Sequence, residues 1–325
     1  MAENPAKISE AVTPAKTKGT LDLFRTTPVE VQSTHTAELV IALCGPIGSP
    51  VHTVSNLLKR LIEGEYAYEC EIIRLSKIIE EFKGTAPTAS RFEKVNYLIE
   101  KGNDLRKEFG SSVLADIAIS KIAAEREKHK KASGSAKYQS RRICHIIDSI
   151  KNQEELEALQ LVYRGMLFFI GVFSPMPLRE KCLVRDGMSL AQVYELIDRD
   201  SGEEIEHGQT VRDTFPHADF FLRIESDSEK LIEPRLKRFL EIIFESEIVT
   251  PSAAETAMYV AASAAGNSAC LSRQVGASLT DIKGEIIAVG WNDVPKAGGG
   301  LYQFDPNGDP KNDHRCINRG GGICS

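Results

Sequence analysis

At 325 residues the chain is long enough for two domains. Hydrophobic residues make up 42% and charged residues 26%, a balance that fits a globular protein and excludes a disordered polyelectrolyte. The net charge of −6 excludes nucleic-acid binding spread over the whole surface, though not a local basic patch. No apolar run reaches the length of a membrane span, and the N-terminus has no apolar signal core. The seven cysteines lack framework spacing and read as reduced thiols of a cytoplasmic protein. Cys44, Cys70, Cys144 and Cys182 are expected to be small buried hydrophobes in or beside strands.

Residues 1–35 are rich in Ala, Pro, Lys, Thr and Glu without periodicity, which predicts a disordered tail. Within it, Thr20-Leu21-Asp22-Leu23-Phe24 reads either as a docking motif or as a locally sticky piece of tail. Residues 38–44 (ELVIALC) are unbroken apolar sequence and predict a buried strand. The turn Gly45-Pro46-Ile47-Gly48-Ser49-Pro50 and a helix over 51–63 follow. Strand, glycine-rich turn and helix form the context in which backbone N–H groups cradle phosphate. The pattern G-x-x-x-x-G-K-[ST] is broken, however. Pro50, Val51 and His52 stand where Gly, Lys and Ser/Thr are required, and taking Gly48 as the second glycine puts Ser49 in the lysine's slot. Gly45, Gly48 and Ser49 are therefore candidate nucleotide-binding residues of a degenerate P-loop. The competing reading is a P-loop-like scaffold that binds nothing.

Strands are predicted within 68–76 and over 143–150, 166–173 and 217–224, with helices over 77–82, 90–109, 111–128, 152–163 and 228–244. Asp148 lies near the end of the third strand, where P-loop proteins place an acidic residue that helps hold Mg²⁺. It could equally cap the next helix or pair with a basic neighbour. His145 sits in an apolar run and reads as a packed core residue. The basic residues Arg126, Lys128, Lys130, Lys131, Lys137, Arg141 and Arg142 read as a solvated face or, with Ser133 and Gly134, as a mobile loop that meets phosphate or RNA. Residues 178–209, with Arg185-Asp186 and Asp198-Arg199-Asp200, resemble the lid of small nucleotide kinases. Together, residues 36–246 predict a three-layer α/β P-loop kinase-like domain with a mostly parallel sheet.

Thr250-Pro251-Ser252 marks a boundary, and 250–325 is expected to be a second domain. A helix over 253–264 is stopped by Gly266-Asn267. Strands over 274–280 and 285–291 are joined by Asp281-Ile282-Lys283-Gly284. Two blocks stand out: Ser272-Arg273-Gln274-Val275-Gly276-Ala277 and Gly290-Trp291-Asn292-Asp293-Val294-Pro295. In type and separation they resemble the opening of the CMP/dCMP-type zinc deaminase domain, whose fold is α/β/α. The resemblance implies hydrolytic loss of the cytosine 4-amino group. Zinc-bound hydroxide supplies the nucleophile and a glutamate moves the protons. It also implies that Asn292 hydrogen-bonds the sugar, against a plain turn role before Pro295, and that Arg273 meets substrate phosphate, against a plain surface charge. The family's H-x-E and P-C-x-x-C motifs are absent, with His217-Ala218-Asp219 the nearest approach. No catalytic residue and no catalytic metal ligand is therefore assigned, and the chain reads as the N-terminal part of a longer enzyme. Some phage members of that family carry a structural zinc, and the resemblance places one of its cysteines at Cys270; His314 and Cys316, with Cys324 nearby, are further candidate ligands whose spacing matches no strong zinc pattern.

A P-loop kinase-like domain followed by a dCMP-type deaminase domain resembles the bacterial anti-phage dCTP deaminases. That resemblance implies Zn²⁺ in the full-length enzyme, Mg²⁺ with any bound nucleotide, and conversion of dCTP or dCMP to the uracil form. It also implies a homo-oligomer and, for some members, an inhibitory small RNA. The alternative is a nucleotide- or RNA-sensing module without catalysis. An active nucleotide kinase ranks last, because the phosphate-binding lysine is missing.

Overall fold

Leucine, valine and isoleucine without a polar break make Leu39–Cys44 a strand buried on both faces, β1. Its side chains alternate: Leu39, Ile41 and Leu43 enter one core, and Val40, Ala42 and Cys44 enter another on the opposite face. The computed structural model describes residues 38–134, 140–201, 211–225 and 229–294, with Gly300, Tyr302 and Asn307. The tail expected over 1–35, Lys137, Pro295, His314, Cys316 and Cys324 lie outside the described residues. The chain divides into two compact units between Glu247 and Ile248.

In the first unit β1 is followed by α1 (Val51–Glu65), β2 (Glu69–Arg74), α2 (Leu75–Lys83), α3 (Arg91–Phe109) and α4 (Val113–Ala132). Then come β3 (Ile143–Ile150), α5 (Gln153–Tyr163), β4 (Leu167–Phe173), α6 (Met176–Arg185), α7 (Leu190–Ser201), the short α8 (Val211–Thr214), β5 (Phe220–Arg223) and α9 (Glu229–Ile243). The five strands lie in the order β2-β3-β1-β4-β5, and every neighbouring pair is parallel. Helix α1 presents Val54, Leu57, Leu58, Leu61 and Ile62 at helical spacing to one core, where α9 adds Ile232, Leu236 and Leu240. Helices α2, α4 and α5 cover the other face with Ile78, Leu114, Ala118, Ile122, Leu156 and Leu159. This is the expected three-layer α/β domain with a parallel sheet. Ser90 and Asn152 cap α3 and α5, accepting from the N–H groups of Glu93 and Glu154. Asp148 is thus no helix cap. Helix α4 continues to Ala132, so the basic stretch is helical over its first residues, which speaks for the solvated face over the mobile loop there.

Cys44, Cys70 and Cys144 are buried, as expected, while Cys182 is half-buried. Burial pushes the Cys44 thiol up to about 12. His145 on β3 is fully buried. Burial first, then the charges of Arg126 and Arg141, push its imidazole from 6.5 down to about 4. Glu71 lies 3.3 Å from its Nδ1 but is 54% exposed, so its opposing influence is screened by water. The unfolded chain then binds more protons than the folded one between those two values, and stability falls as pH drops through that window. Urea titrations at pH 7 and pH 4 are expected to show a loss of roughly 3 kcal/mol from this residue. His145→Asn is expected to flatten that part of the profile, and an unchanged slope would contradict the assignment.

The second unit has a helix, α10 (Ala253–Ala265), and an antiparallel hairpin of β6 (Gly276–Thr280) and β7 (Ile286–Trp291). Ser252 and Glu255 close a capping box at the start of α10. In the turn, Asp281 Oδ1 accepts from the N–H groups of Lys283 and Glu285, and Gly284 takes the left-handed φ of +85°. Gln274 and Val275, expected in the first strand, precede it as loop. Gly276 is forced by packing: a Cβ there would lie 1.9 Å from the Ala261 carbonyl oxygen and 2.5 Å from the Ala265 nitrogen.

Candidate functional site

The carboxyl ends of β1, β2 and β3 open onto a cavity of about 780 Å³, well within the range of small-ligand sites. Seven basic side chains line it (Arg74, Lys77, Arg91, Lys94, Arg106, Lys151 and Arg185) against the acids Glu80, Asp148, Asp186 and Asp200. This local excess of positive charge runs against the chain's net charge of −6 and suits an anionic ligand. Gly45, Gly48 and Ser49 all line the cavity, as does Asp148, so the four residues read from the broken P-loop pattern come together at one place.

The turn after β1 is tightly held. Ser49 donates its backbone N–H to Pro46 O (3.0 Å), and Val51 to Ser49 O (2.8 Å). Gly48 has φ +83°, and a Cβ on it would meet the backbone of Arg179 at 3.0 Å. Gly45 has Val172 O 2.6 Å from the position of its missing Cβ. Pro46 and Pro50 carry no N–H, so the turn has fewer donors to offer an anion than a glycine-rich cradle would. Of those present, the Ile47 N–H donates to Asp200 Oδ2 at 2.6 Å. The Ile47 carbonyl accepts from Arg179 Nε at 2.7 Å. Burial draws Arg179 below its ordinary value, with the Asp200 charge acting the other way.

A lysine does reach the turn from elsewhere in the fold. Lys151, just past β3, donates Nζ to the Gly45 carbonyl and to Asp200 Oδ1, both at 2.8 Å. Its own backbone N–H donates to Glu155 Oε2 at 3.0 Å. Glu155 Oε1 accepts from Arg106 Nε and Nη2 at 2.9 and 2.7 Å, in a pair where both side chains are almost fully buried. A one-residue register shift at the end of β3 pairs Leu43 with Asp148 but Cys44 with Ile150. The extra residue turns Ile150 to the same core as Ile147.

Asp148 is 1% exposed. Its Oδ2 is 2.7 Å from His52 Nδ1 and accepts from Ser55 Oγ at 2.9 Å, and Arg74 Nε lies 3.8 Å away. Its Oδ1 is buried without a hydrogen-bond partner, and so is Ser49 Oγ. Such orphaned oxygens mark a place for a water, cation or ligand hydroxyl. With the Arg74 guanidinium 3.8 Å from it, however, Asp148 already has a cationic neighbour, and a Mg²⁺ ion fits less well than a ligand donor. Among the described residues no group of His, Cys, Asp and Glu could hold a metal ion.

Four residues of the site escape a reading of the sequence. His52 stands there only as a mismatch to the P-loop pattern and Asp200 only as lid polarity, while Lys151 and Arg179 carry no motif at all. Their contacts with the turn and with Asp148 span 96 to 153 residues, so no short spacing could have announced them. Of the basic stretch, Lys128 and Lys131 are solvated, as expected, while Arg126 and Arg142 are taken up by the fold. Arg126 Nε donates to Glu38 at 2.6 Å and its guanidinium lies 5.6 Å from the Tyr163 ring. Arg142 sits 4.7 Å over the Tyr68 ring and donates to Tyr66 O at 2.5 Å.

In the second unit, Asn292 joins the two sequence blocks. Its Oδ1 accepts from the Val275 N–H and its Nδ2 donates to the Arg273 carbonyl, both at 2.8 Å. The amide keeps one N–H and one lone pair for another partner. The Arg273 side chain is exposed. Cys270 is half-buried, 3.4 Å from Ser272 Oγ, and hydrogen bonds from Ser272 and from the Arg273 backbone draw its thiol down.

No family model and no curated protein matches the sequence. Among solved structures, the chain is similar to shikimate kinase from Acinetobacter baumannii in complex with shikimate, at 13% identity and a TM-score of 0.39, over 67% of this chain and 99% of that one. It is similar to shikimate kinase from Bacteroides thetaiotaomicron at 13% identity and 0.37, over 63% and 98%. The tunicamycin resistance protein of Deinococcus radiodurans gives 13% and 0.34, over 66% and 99%. Among the described residues no helix is long and apolar enough to cross a membrane.

Proposed function

We propose that this chain is part of a cytoplasmic, zinc-dependent deoxycytidine nucleotide deaminase that converts dCTP or dCMP to the uracil form and so depletes dCTP during phage infection. One observation carries the reading. The two blocks that resemble the deaminase opening meet in space, and the Asn292 amide ties them together through Val275 and Arg273. That arrangement leaves Asn292 a spare donor and acceptor for a sugar hydroxyl, and leaves Arg273 open to solvent for a phosphate. Leu279, Ile287 and Tyr259 are each more than half exposed, which supports a unit completed by further elements of the same fold. The family's H-x-E and P-C-x-x-C motifs, which would hold zinc and carry the proton, are not among these residues. Zinc, when bound there, supplies an activated water. Homo-oligomeric assembly and control by a small RNA belong to the same proposal.

The test is incubation of the protein from its whole reading frame with dCTP and dCMP in the presence of zinc. Deoxyuridine product is expected from at least one, and product from neither overturns the reading. Arg273→Ala is expected to raise KM roughly tenfold with kcat little changed, since a phosphate contact contributes equally to ground and transition states. A second reading is favoured by the lined cavity of the first unit. There the P-loop-like domain senses a nucleotide, while the proline-bearing turn without its lysine disfavours phosphoryl transfer.

A further inference from the structure

The lid helices of the first unit are attached through a small separate core. Leu183, Met188, Val193 and Leu196 pack with Ile99 of α3, and the Ile47 side chain of the turn joins them. From this lid, Asp200 enters the site 2% exposed. One of its oxygens takes the Ile47 N–H and the other takes the Lys151 ammonium. A backbone N–H of the turn and a lysine ammonium are the two kinds of donor that hold a phosphate in a nucleotide site. Here both are satisfied by a carboxylate of the chain itself. Nearby, Ser49 Oγ and the 1%-exposed Asp148 keep buried oxygens without hydrogen-bond partners, facing the same cavity.

We propose that Asp200 is a built-in substitute for a ligand phosphate, and that a nucleoside triphosphate binds by displacing its carboxylate from Ile47 and Lys151, which frees α7 from the turn. The proposal rests on the reading of the first unit as a nucleotide sensor and adds how that sensor switches. Binding exchanges one anion for another at the same donors, so no buried cation is stranded. The loss of Asp200 from the turn is the signal: α7 then keeps its apolar packing, its contacts with α3 and the Tyr194–Glu180 bond to α6, but loses its tie to the turn. The apparent affinity of the wild-type site is lowered by the fraction of time that Asp200 occupies it.

The test is calorimetric titration of the full chain and of Asp200→Asn with dCTP, ATP and inorganic tripolyphosphate, with hydrogen exchange followed over residues 190–201. The amide keeps an acceptor for Ile47 but no charge for Lys151. Binding to Asp200→Asn is expected to be roughly tenfold tighter or more. Wild-type α7 is expected to exchange faster when ligand is bound, and Asp200→Asn to do so without ligand. Lys151→Met is expected to abolish binding in either background. Equal affinity of wild type and Asp200→Asn, with unchanged exchange in α7, overturns the displacement while leaving nucleotide binding intact. Absence of binding to both overturns the sensor reading itself. Tripolyphosphate binding as tightly as the nucleotides identifies the phosphates as the recognised part, and nucleotide-only binding adds a base or sugar contact. Should Asp200→Asn fold poorly by thermal melt, the ligand-induced exchange in wild-type α7 decides alone, and its absence with ligand bound overturns the proposal.

Discussion

Glu155→Leu is expected to destabilise the first unit by about 3–5 kcal/mol, the magnitude for stranding one member of a buried ion pair. Glu155 is fully buried and Arg106 is 2% exposed. Removing the carboxylate leaves the guanidinium of Arg106 with a neutral acceptor, the Asn103 side-chain oxygen at 3.1 Å, where it had a charged one. It also leaves the Lys151 backbone N–H without its acceptor. The second effect reaches the site, since Lys151 loses the anchor that aims its ammonium at Gly45 and Asp200. The double variant Arg106→Met/Glu155→Leu is expected to recover most of the stability, because two apolar side chains of similar volume need no partner. Urea unfolding of the wild type and the two variants checks this. A single-variant loss below about 1 kcal/mol would show that the pair is more hydrated than its burial implies.

Gly276→Ala is expected to cost the second unit about 3 kcal/mol or more, at the upper end for overpacking. The added methyl would collide with backbone atoms of Ala261 and Ala265, which have no rotamer to change. Strand β6 would have to leave α10, and the Ser278 hydroxyl would lose its 2.8 Å bond to the Ala257 carbonyl. Gly290→Ala is the control, because nothing lies within 4 Å of its missing Cβ. Hydrogen exchange in residues 253–291 should rise sharply for the first variant and stay near wild type for the second. Equal behaviour of the two would mean that the glycine in the first block serves something other than helix–strand contact.

Strands and helices of the first unit are legible in the sequence because each one buries a continuous or periodic apolar face, a property of neighbouring residues. Only their ends differ in the structure. Tyr68 and Ser76 fall outside β2, and Leu75 starts α2 instead of ending a strand. The basic stretch follows composition only in part: Lys128 and Lys131 on α4 face solvent, while Arg126 pairs with Glu38 and Arg142 covers Tyr68. Local sequence records the charges but not the distant carboxylates and rings that neutralise or cover them.

Sequence alone determined the parallel α/β domain, the broken P-loop turn, the acid at the end of β3, and the paired blocks joined by the hairpin, because each is written within a few adjacent residues. Tertiary structure decided what fills the site. Lys151, Asp200 and Arg179 converge on Gly45 and Ile47 from 106, 153 and 132 positions away. Contacts at such separation depend on how the sheet order and helices α6 and α7 bring loops together, and no spacing rule in the chain encodes them.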